Sequence, residues 1–149
     1  MLRISTKGRY GLRSMVDLAV YSSDAPVSLS SIADRQGLST GYLEQVFSAL
    51  RKAGLVTGIK GMGGGYILSQ EPSSITVGDV LRVLEGNLNV ADSKGGSPMG
   101  ESSIEYCIEN MVWKRMNEAL NRAADSVTLD ELATEHKKLN NSWDHMYYI

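Results

Sequence analysis

Cysteine is almost absent from this chain: Cys107 is the single one in 149 residues. One thiol excludes an intrachain disulfide and fits the reducing cytosol. No apolar run approaches the roughly 18 residues that a bilayer-crossing helix needs, and the first residues lack the apolar core of a signal peptide. Low-complexity tracts and internal repeats are missing as well. So are the constellations of an enzyme. No nucleophile–base pair and no ligand cluster stands out, and His136 and His145 are isolated, which suits solvated or packed imidazoles better than a metal site. The expectation is a cytoplasmic, non-enzymatic chain without a metal or other cofactor, of a length that supports one domain.

Charge is present but lopsided. The net value of −2 says nothing of nucleic acid by itself. Up to Lys60, eight basic residues (Arg3, Lys7, Arg9, Arg13, Arg35, Arg51, Lys52, Lys60) stand against four acidic ones (Asp17, Asp24, Asp34, Glu44), whereas beyond it seven stand against thirteen. That asymmetry predicts a cationic DNA-facing part and an acidic body. For Arg35 alone, solvated surface remains the simpler reading.

The most informative stretch runs from Ser39 to Leu68. Leu43, Val46, Phe47, Leu50 and Ala53 recur at helical spacing and make one apolar face. The other face carries Thr40, Gly41, Glu44, Gln45, Ser48, Arg51 and Lys52, side chains suited to base edges and phosphates. Gly54 closes that helix as a left-handed cap. Upstream, residues 27–36 form a short amphipathic helix capped by Ser28, and the turn Gln36-Gly37-Leu38 leads to Ser39 as the next cap. Two helices joined so tightly form a helix-turn-helix, whose second helix enters the major groove. An ordinary helical hairpin would show the same pattern, but not the glycine-rich hairpin that follows.

Leu55 to Lys60 and Tyr66 to Leu68 alternate like paired strands around Gly61-Met62-Gly63-Gly64-Gly65. A phosphate-cradling loop of a nucleotide site would lead into a helix and end in Lys-Ser/Thr. Here Tyr66-Ile67-Leu68 favours a strand, so the loop reads as a wing tip at which Gly63 and Gly64 let backbone approach a sugar-phosphate strand. Lys60, at the wing base, can reach phosphate or the minor groove.

Ser5-Thr6 opens a first helix with an apolar stripe of Leu12, Met15, Val16, Ala19 and Val20. Lys7 and Arg9 lie in its first turn, where a cation costs roughly 0.3–1 kcal/mol. They make sense if a phosphate arrives there, with Gly8 and Gly11 allowing close approach.

The remainder predicts a short helix from Thr76 to Leu84, a flexible Gly/Ser-rich loop over 86–103 and a long helix from Ile104. On that helix Ile104, Ile108, Val112, Met116, Ala119, Leu120, Ala123 and Val127 line one face. Such a rod spans roughly 35 Å, too long to bury its stripe on a small domain, so pairing with a second copy through Ile104, Ile108, Val112, Met116 and Leu120 is expected. Trp113 is expected to pack at that junction. A final helix, 129–139, follows Thr128 as cap. The fold class is mainly α with a small β-wing. Its division is 1–85 for the winged helix-turn-helix, 86–103 for the loop, and 104–149 for the dimerisation helix, final helix and tail.

ISTKGRYGLRSMVDLA at 4–19, SSIADRQGLSTGYLEQVFSALRKAGLV at 30–56 and KGMGGGYIL at 60–68 resemble the bacterial winged-helix regulators that include IscR, NsrR and CymR. The resemblance implies a homodimer on a palindromic operator. It implies DNA contacts by Ser39, Thr40, Tyr42, Glu44 and Gln45, by Lys60 in the wing, and by Lys7 and Arg9. Relatives such as IscR begin the wing with arginine, and lysine lacks the planar fork, which weakens readout there. Cluster-binding members also place three cysteines before the dimerisation helix. The matching loop here has none, Cys107 matches the last of them, and Asn110 stands where IscR has a histidine. One thiolate per chain cannot build the usual four-ligand site.

Cys107 keeps two readings, a buried structural thiol or a redox sensor. The aromatic tail ending in Tyr147-Tyr148-Ile149 resembles peptides that insert into cysteine synthase (O-acetylserine sulfhydrylase), and within the family it resembles CymR, a repressor of cysteine metabolism. Packing of that tail on its own dimer is the alternative. The resulting expectation is a repressor of cysteine and sulfur-metabolism genes, with an iron–sulfur or redox-responsive regulator of the IscR/NsrR type as the other possibility.

Overall fold

The fold begins where Ser5 turns the chain into helix α1 (Thr6–Tyr21), its side chain accepting a hydrogen bond from the Gly8 N–H at 3.2 Å. The computed structural model describes residues 2–91, 100 and 102–147, of which 142–147 are described by backbone alone. Helix α2 (Leu29–Gln36) starts on Ser28, which accepts from the Ser31 N–H, and stops at Gly37 with φ of +67°. Helix α3 (Thr40–Lys52) starts on Ser39 in the same way. It ends where Gly54, at φ +80°, lets the Leu55 N–H reach back to the Leu50 carbonyl at 3.0 Å. The caps of α2 and α3 lie where the sequence predicts them, and Ser5 stands at the predicted opening of α1.

Strands β1 (Val56–Ile59) and β2 (Gly65–Leu68) pair antiparallel, Val56 opposite Leu68 and Ile59 opposite Gly65. A third segment joins them: Val27 and Tyr66 exchange two backbone hydrogen bonds of 2.9 and 2.8 Å. Strand β1 is shorter than expected, so Lys60 belongs to the connecting loop, whereas β2 starts one residue earlier, at Gly65. Pro72–Ser74 then form a 3-10 turn, and Thr76 caps helix α4 (Val77–Glu85) in a reciprocal box with Asp79.

The long helix is present but broken in register. Helix α5 (Ile104–Ile108) runs through a π turn at Glu109–Trp113 into helix α6 (Lys114–Asp125), the Lys114 N–H donating to the Glu109 carbonyl five residues back. This slip has a consequence for the apolar stripe. Residues spaced by four drift about 40° per step around an α-helix, so Ile104 to Leu120 would wind through about 160°. The extra residue in a π turn removes much of that drift. Asn110 donates its side-chain amide to the Tyr106 carbonyl at 3.0 Å, at the start of the slip.

Helix α7 (Leu129–Tyr147) returns to the head and is longer than the 129–139 helix expected. Its Leu129 and Ala133 are buried with Met15 and Leu18 of α1, Leu43, Phe47 and Leu50 of α3, and Ile75. Val127 leaves the stripe and accepts the Val77 N–H in the turn before α7. Trp113 lies in the π turn and is 38% exposed in the single chain. Of the loop expected over 86–103, residues 92–99 and 101 lie outside the described residues, as do Tyr148 and Ile149 of the tail. No helix among the described residues is long and apolar enough to cross a membrane.

Two expectations about α1 are corrected by what it packs against. Gly8 and Gly11 are buried against α4, where an added Cβ would collide with the Glu85 carboxylate and the Leu84 side chain respectively. Their missing side chains serve helix packing, and the anion at the start of α1 is Glu85, which accepts from the Ser5 N–H at 2.9 Å and from its hydroxyl. Arg35 is not a solvated cation either. It donates through Nε and Nη2 to the carboxylate of Asp17 at 2.9 and 2.8 Å, while Gln36 donates to the same carboxylate at 2.9 Å. The Asp17 side chain has no exposed surface, and the Arg35 guanidinium also covers the Tyr21 ring at 4.0 Å. Three donors compensate the desolvation of that carboxylate and fasten α2 to α1.

Arg35→Ala leaves a buried carboxylate short of two donors and should destabilise the fold by about 2–4 kcal/mol. Urea denaturation reads this as a lower midpoint at unchanged slope. A midpoint within error of wild type would show that the pair contributes nothing net.

Candidate nucleic-acid interface

The recognition helix owes its outward face to its inward one. Leu43, Phe47 and Leu50 of α3 have no exposed surface and Val46 has 1%, which turns Thr40, Gly41, Glu44, Gln45, Arg51 and Lys52 to solvent. Ser39 sits at the exposed start of the helix with its hydroxyl accepting the Tyr42 N–H at 3.1 Å. These side chains of expected base and phosphate contact therefore share one surface.

Tyr42 is placed differently from its neighbours. It is half-buried, its ring meeting Tyr10 of α1 edge-on at 6.4 Å between centroids. The hydroxyl is shielded from solvent and has no hydrogen-bond partner among the described residues. Tyr10 in turn lies beneath two guanidinium groups, Arg13 at 5.1 Å and Arg9 at 5.9 Å from the ring centroid. Arg13, which sequence reasoning passed over, also donates to the Gln36 carbonyl at 2.7 Å at the C-terminal end of α2. Its four-residue spacing from Arg9 on one helix was the available signal. Arg9 and Arg13 thus form an exposed cationic edge beside the helix-turn-helix, with Lys7 exposed in the first turn of the same helix.

The wing is held against α3 by Phe47 and Tyr66, whose ring centroids are 5.0 Å apart. Lys60 is exposed at its end, and Met62 projects fully into solvent at the tip. Gly61 and Gly63 take φ of +97° and +75°, which side chains seldom tolerate. Gly64 is confined from within, because a Cβ there would strike the Ile59 carbonyl and lie 2.8 Å from the Gly61 carbonyl. Gly65, at φ +150°, would strike the Val27 carbonyl.

Away from the head, the rod exposes Ile104 at 80%, Met111 at 67%, and Ile108, Val112, Met116 and Leu120 at 38–40%. A row of large apolar side chains left this open is unusual for a free surface. Cys107 lies on the same rod and is exposed, so the buried-thiol reading is overturned. His136 is exposed on α7 with Asn140 donating to its backbone carbonyl at 2.8 Å. Tyr147 is helical, whereas Tyr148 and Ile149 lie outside the described residues.

Comparison with known proteins places these features in context. A family model described as "Rrf2: Iron-dependent Transcriptional regulator" matches residues 4–135. The HTH-type transcriptional regulator CymR of Bacillus subtilis is 45% identical over 133 residues, which are 89% of this chain and 91% of that protein. The solved structure of CymR, the global cysteine regulator of B. subtilis, matches with a TM-score of 0.76 at 44% identity, covering 91% of this chain and 98% of that one. The structure of IscR from T. potens matches with a TM-score of 0.75 at 43% identity, covering 93% and 90%. CymR and IscR are named as transcriptional regulators, not as enzymes.

The family description mentions iron, but the donor set here does not fit an iron–sulfur cluster of the usual four-ligand kind. Cys107 is the single cysteine of the chain. Asn110 has its amide engaged by the Tyr106 carbonyl, and no three His, Cys, Asp or Glu side chains converge among the described residues.

Gly65→Ala should push the wing off Val27 and lower stability by about 1–3 kcal/mol. It should also lower affinity for operator DNA more than Gly41→Ala, which meets open space on the recognition helix. Equal binding by the two variants would mean that the Val27–Tyr66 junction does not position the wing.

Proposed function

This chain belongs to the Rrf2 family of DNA-binding transcriptional regulators, and from that premise we propose that it is a homodimeric repressor of cysteine and sulfur-metabolism genes that acts with cysteine synthase. The observation that carries the reading is a pairing of surfaces on one chain: a polar recognition face beside a wing, and a rod whose apolar row is left exposed among the described residues. One surface needs DNA, the other needs a second copy.

In this reading residues 1–85 supply the DNA-binding face, 86–103 connect, and 104–149 carry the dimerisation helix, final helix and tail. Glu44 and Gln45 read base edges, Glu44 by accepting from cytosine and Gln45 by pairing with adenine. Ser39, Thr40 and Tyr42 assist at the start of the helix, Tyr42 chiefly by packing on Tyr10. Lys7, Arg9, Arg51 and Lys60 position the duplex through phosphates, without reading sequence. Gly63 lets the wing backbone come close, and Gly64 keeps the loop shut. Two heads would then address half-sites about 34 Å apart on a palindromic operator.

Dimerisation is assigned to Ile104, Ile108, Val112, Met116 and Leu120. Burying such side chains against a second copy is worth roughly 25 cal/mol per Å² of apolar surface. The cysteine assignment is supported by the likeness to CymR across nine-tenths of the chain and by the misfit of the donor set to a cluster. The tail Tyr147, Tyr148 and Ile149 is assigned to cysteine synthase on its resemblance to aromatic, isoleucine-containing peptides that insert into that enzyme.

Val112→Glu should convert a dimer into a monomer at micromolar concentration, read by sedimentation. It should weaken operator binding by about 10²-fold, because the second head no longer benefits from the first. A monomeric wild-type chain, or a variant that stays dimeric, would overturn the pairing. Deleting Tyr148 and Ile149 should abolish capture of the chain by immobilised cysteine synthase while leaving DNA binding intact. Undiminished capture would remove that partner from the account.

A further inference from the structure

How the rod is attached to the head determines where two heads stand. At its base the attachment is backbone: the Val77 N–H donates to the Val127 carbonyl and the Leu129 N–H to the Ile75 carbonyl, both at 2.9 Å. A tether at one end fixes position but not direction. Direction is set along one side of α6, where Asn117, Asn121 and Asp125 recur at four-residue spacing and so lie in a row.

Each member of that row is held. Arg82 of α4 donates to both carboxylate oxygens of Asp125, at 2.7 and 2.8 Å, and to the Asn121 side-chain oxygen at 2.8 Å. The hydrogen bond from Arg82 is the main reason the Asp125 carboxyl is held below the usual carboxylate range. One turn further up, Asn117 accepts the Val90 N–H at 2.7 Å and donates to the Ala91 carbonyl at 3.3 Å. Gly78 permits the close approach, since a Cβ there would collide with the Asp125 carboxylate and lie 2.8 Å from Arg82. The row spans eight residues, about 12 Å of helix, and lies against α4 and the segment after it.

We infer that this polar spine, Asn117–Asn121–Asp125 clamped by Arg82 and seated on Gly78, sets the angle between head and rod and thereby selects the half-site spacing. These are positioning residues, remote from the recognition face. The leverage is ample: a swing of about 10° on an arm of roughly 20 Å moves a head by about 3.5 Å, close to one base-pair step. The inference rests on the homodimeric reading above. An error of one step also rotates a half-site by about 35° around the duplex, so a rigid angle tolerates few spacings.

The test uses the full chain and a DNA library in which two half-sites are separated by spacers of varied length. Wild type should select one spacer sharply. Gly78→Ala, which wedges the spine away without changing charge, and Arg82→Gln, which releases it, should each reduce the preference for that spacer over its neighbours by about threefold or more, the scale of a partly exposed ion pair. Affinity for an isolated half-site and the dimer mass should not change, whereas a merely structural loss would lower them. Should either variant fail to fold, Asn121→Ala, which removes one acceptor of Arg82, takes its place. An unaltered spacer preference in folded variants overturns the inference. A wild-type chain that selects only single half-sites overturns the dimeric reading instead.

Discussion

A helix locked into a core on one side has no freedom in what it presents on the other, and α3 is in that position. With Leu43, Val46, Phe47 and Leu50 all but completely buried, rotation of the helix by even one residue would put a polar side chain inside and an apolar one in water. The polar face is therefore determined by the apolar one. Chemistry at the DNA surface is a consequence of packing beneath it.

The other elements of the head restrain the few motions that remain to α3. Phe47 reaches Tyr66, so the wing moves with the recognition helix. Tyr66 is tied in turn to Val27, just ahead of α2. Asp17 joins α2 to α1 through a carboxylate without exposed surface, and α1 meets α4 so closely that a side chain at Gly8 or Gly11 would displace Glu85 or Leu84. Each contact is unremarkable in magnitude. Together they close a ring of supports around one exposed face.

Much of this was legible in the residues. The turns at Gly37 and Gly54, the caps at Ser28 and Ser39, the opening of α1 at Ser5 and the Leu43, Val46, Phe47 and Leu50 face of α3 depend on local sequence and stand where local rules put them. Ala53, expected on that face, is instead exposed past the helix end. What was not legible depends on partners distant in the chain. Gly8 and Gly11 look like sites of ligand approach until Glu85 and Leu84 are brought against them. Arg35 looks solvated until Asp17, eighteen positions away, accepts from it. The π turn is hidden because fourfold spacing suggests a helical stripe without revealing that an α-helix would twist it. Tyr42 carries a hydroxyl that suggests a contact, yet its ring is drawn toward Tyr10.

The burial of Leu129 among side chains of α1 and α3 bears on how the molecule comes into being. Most of the head is translated early, but the residue that completes its interior is made more than a hundred positions after Met15, with which it shares that interior. Contacts of such sequence separation form late, and a nascent chain lacking them leaves apolar surface uncovered. A ribosome-bound or prematurely ended product would thus hold the recognition residues without the finished scaffold that aims them. A chain cut before Leu129 would therefore lack part of the core on which α3 rests.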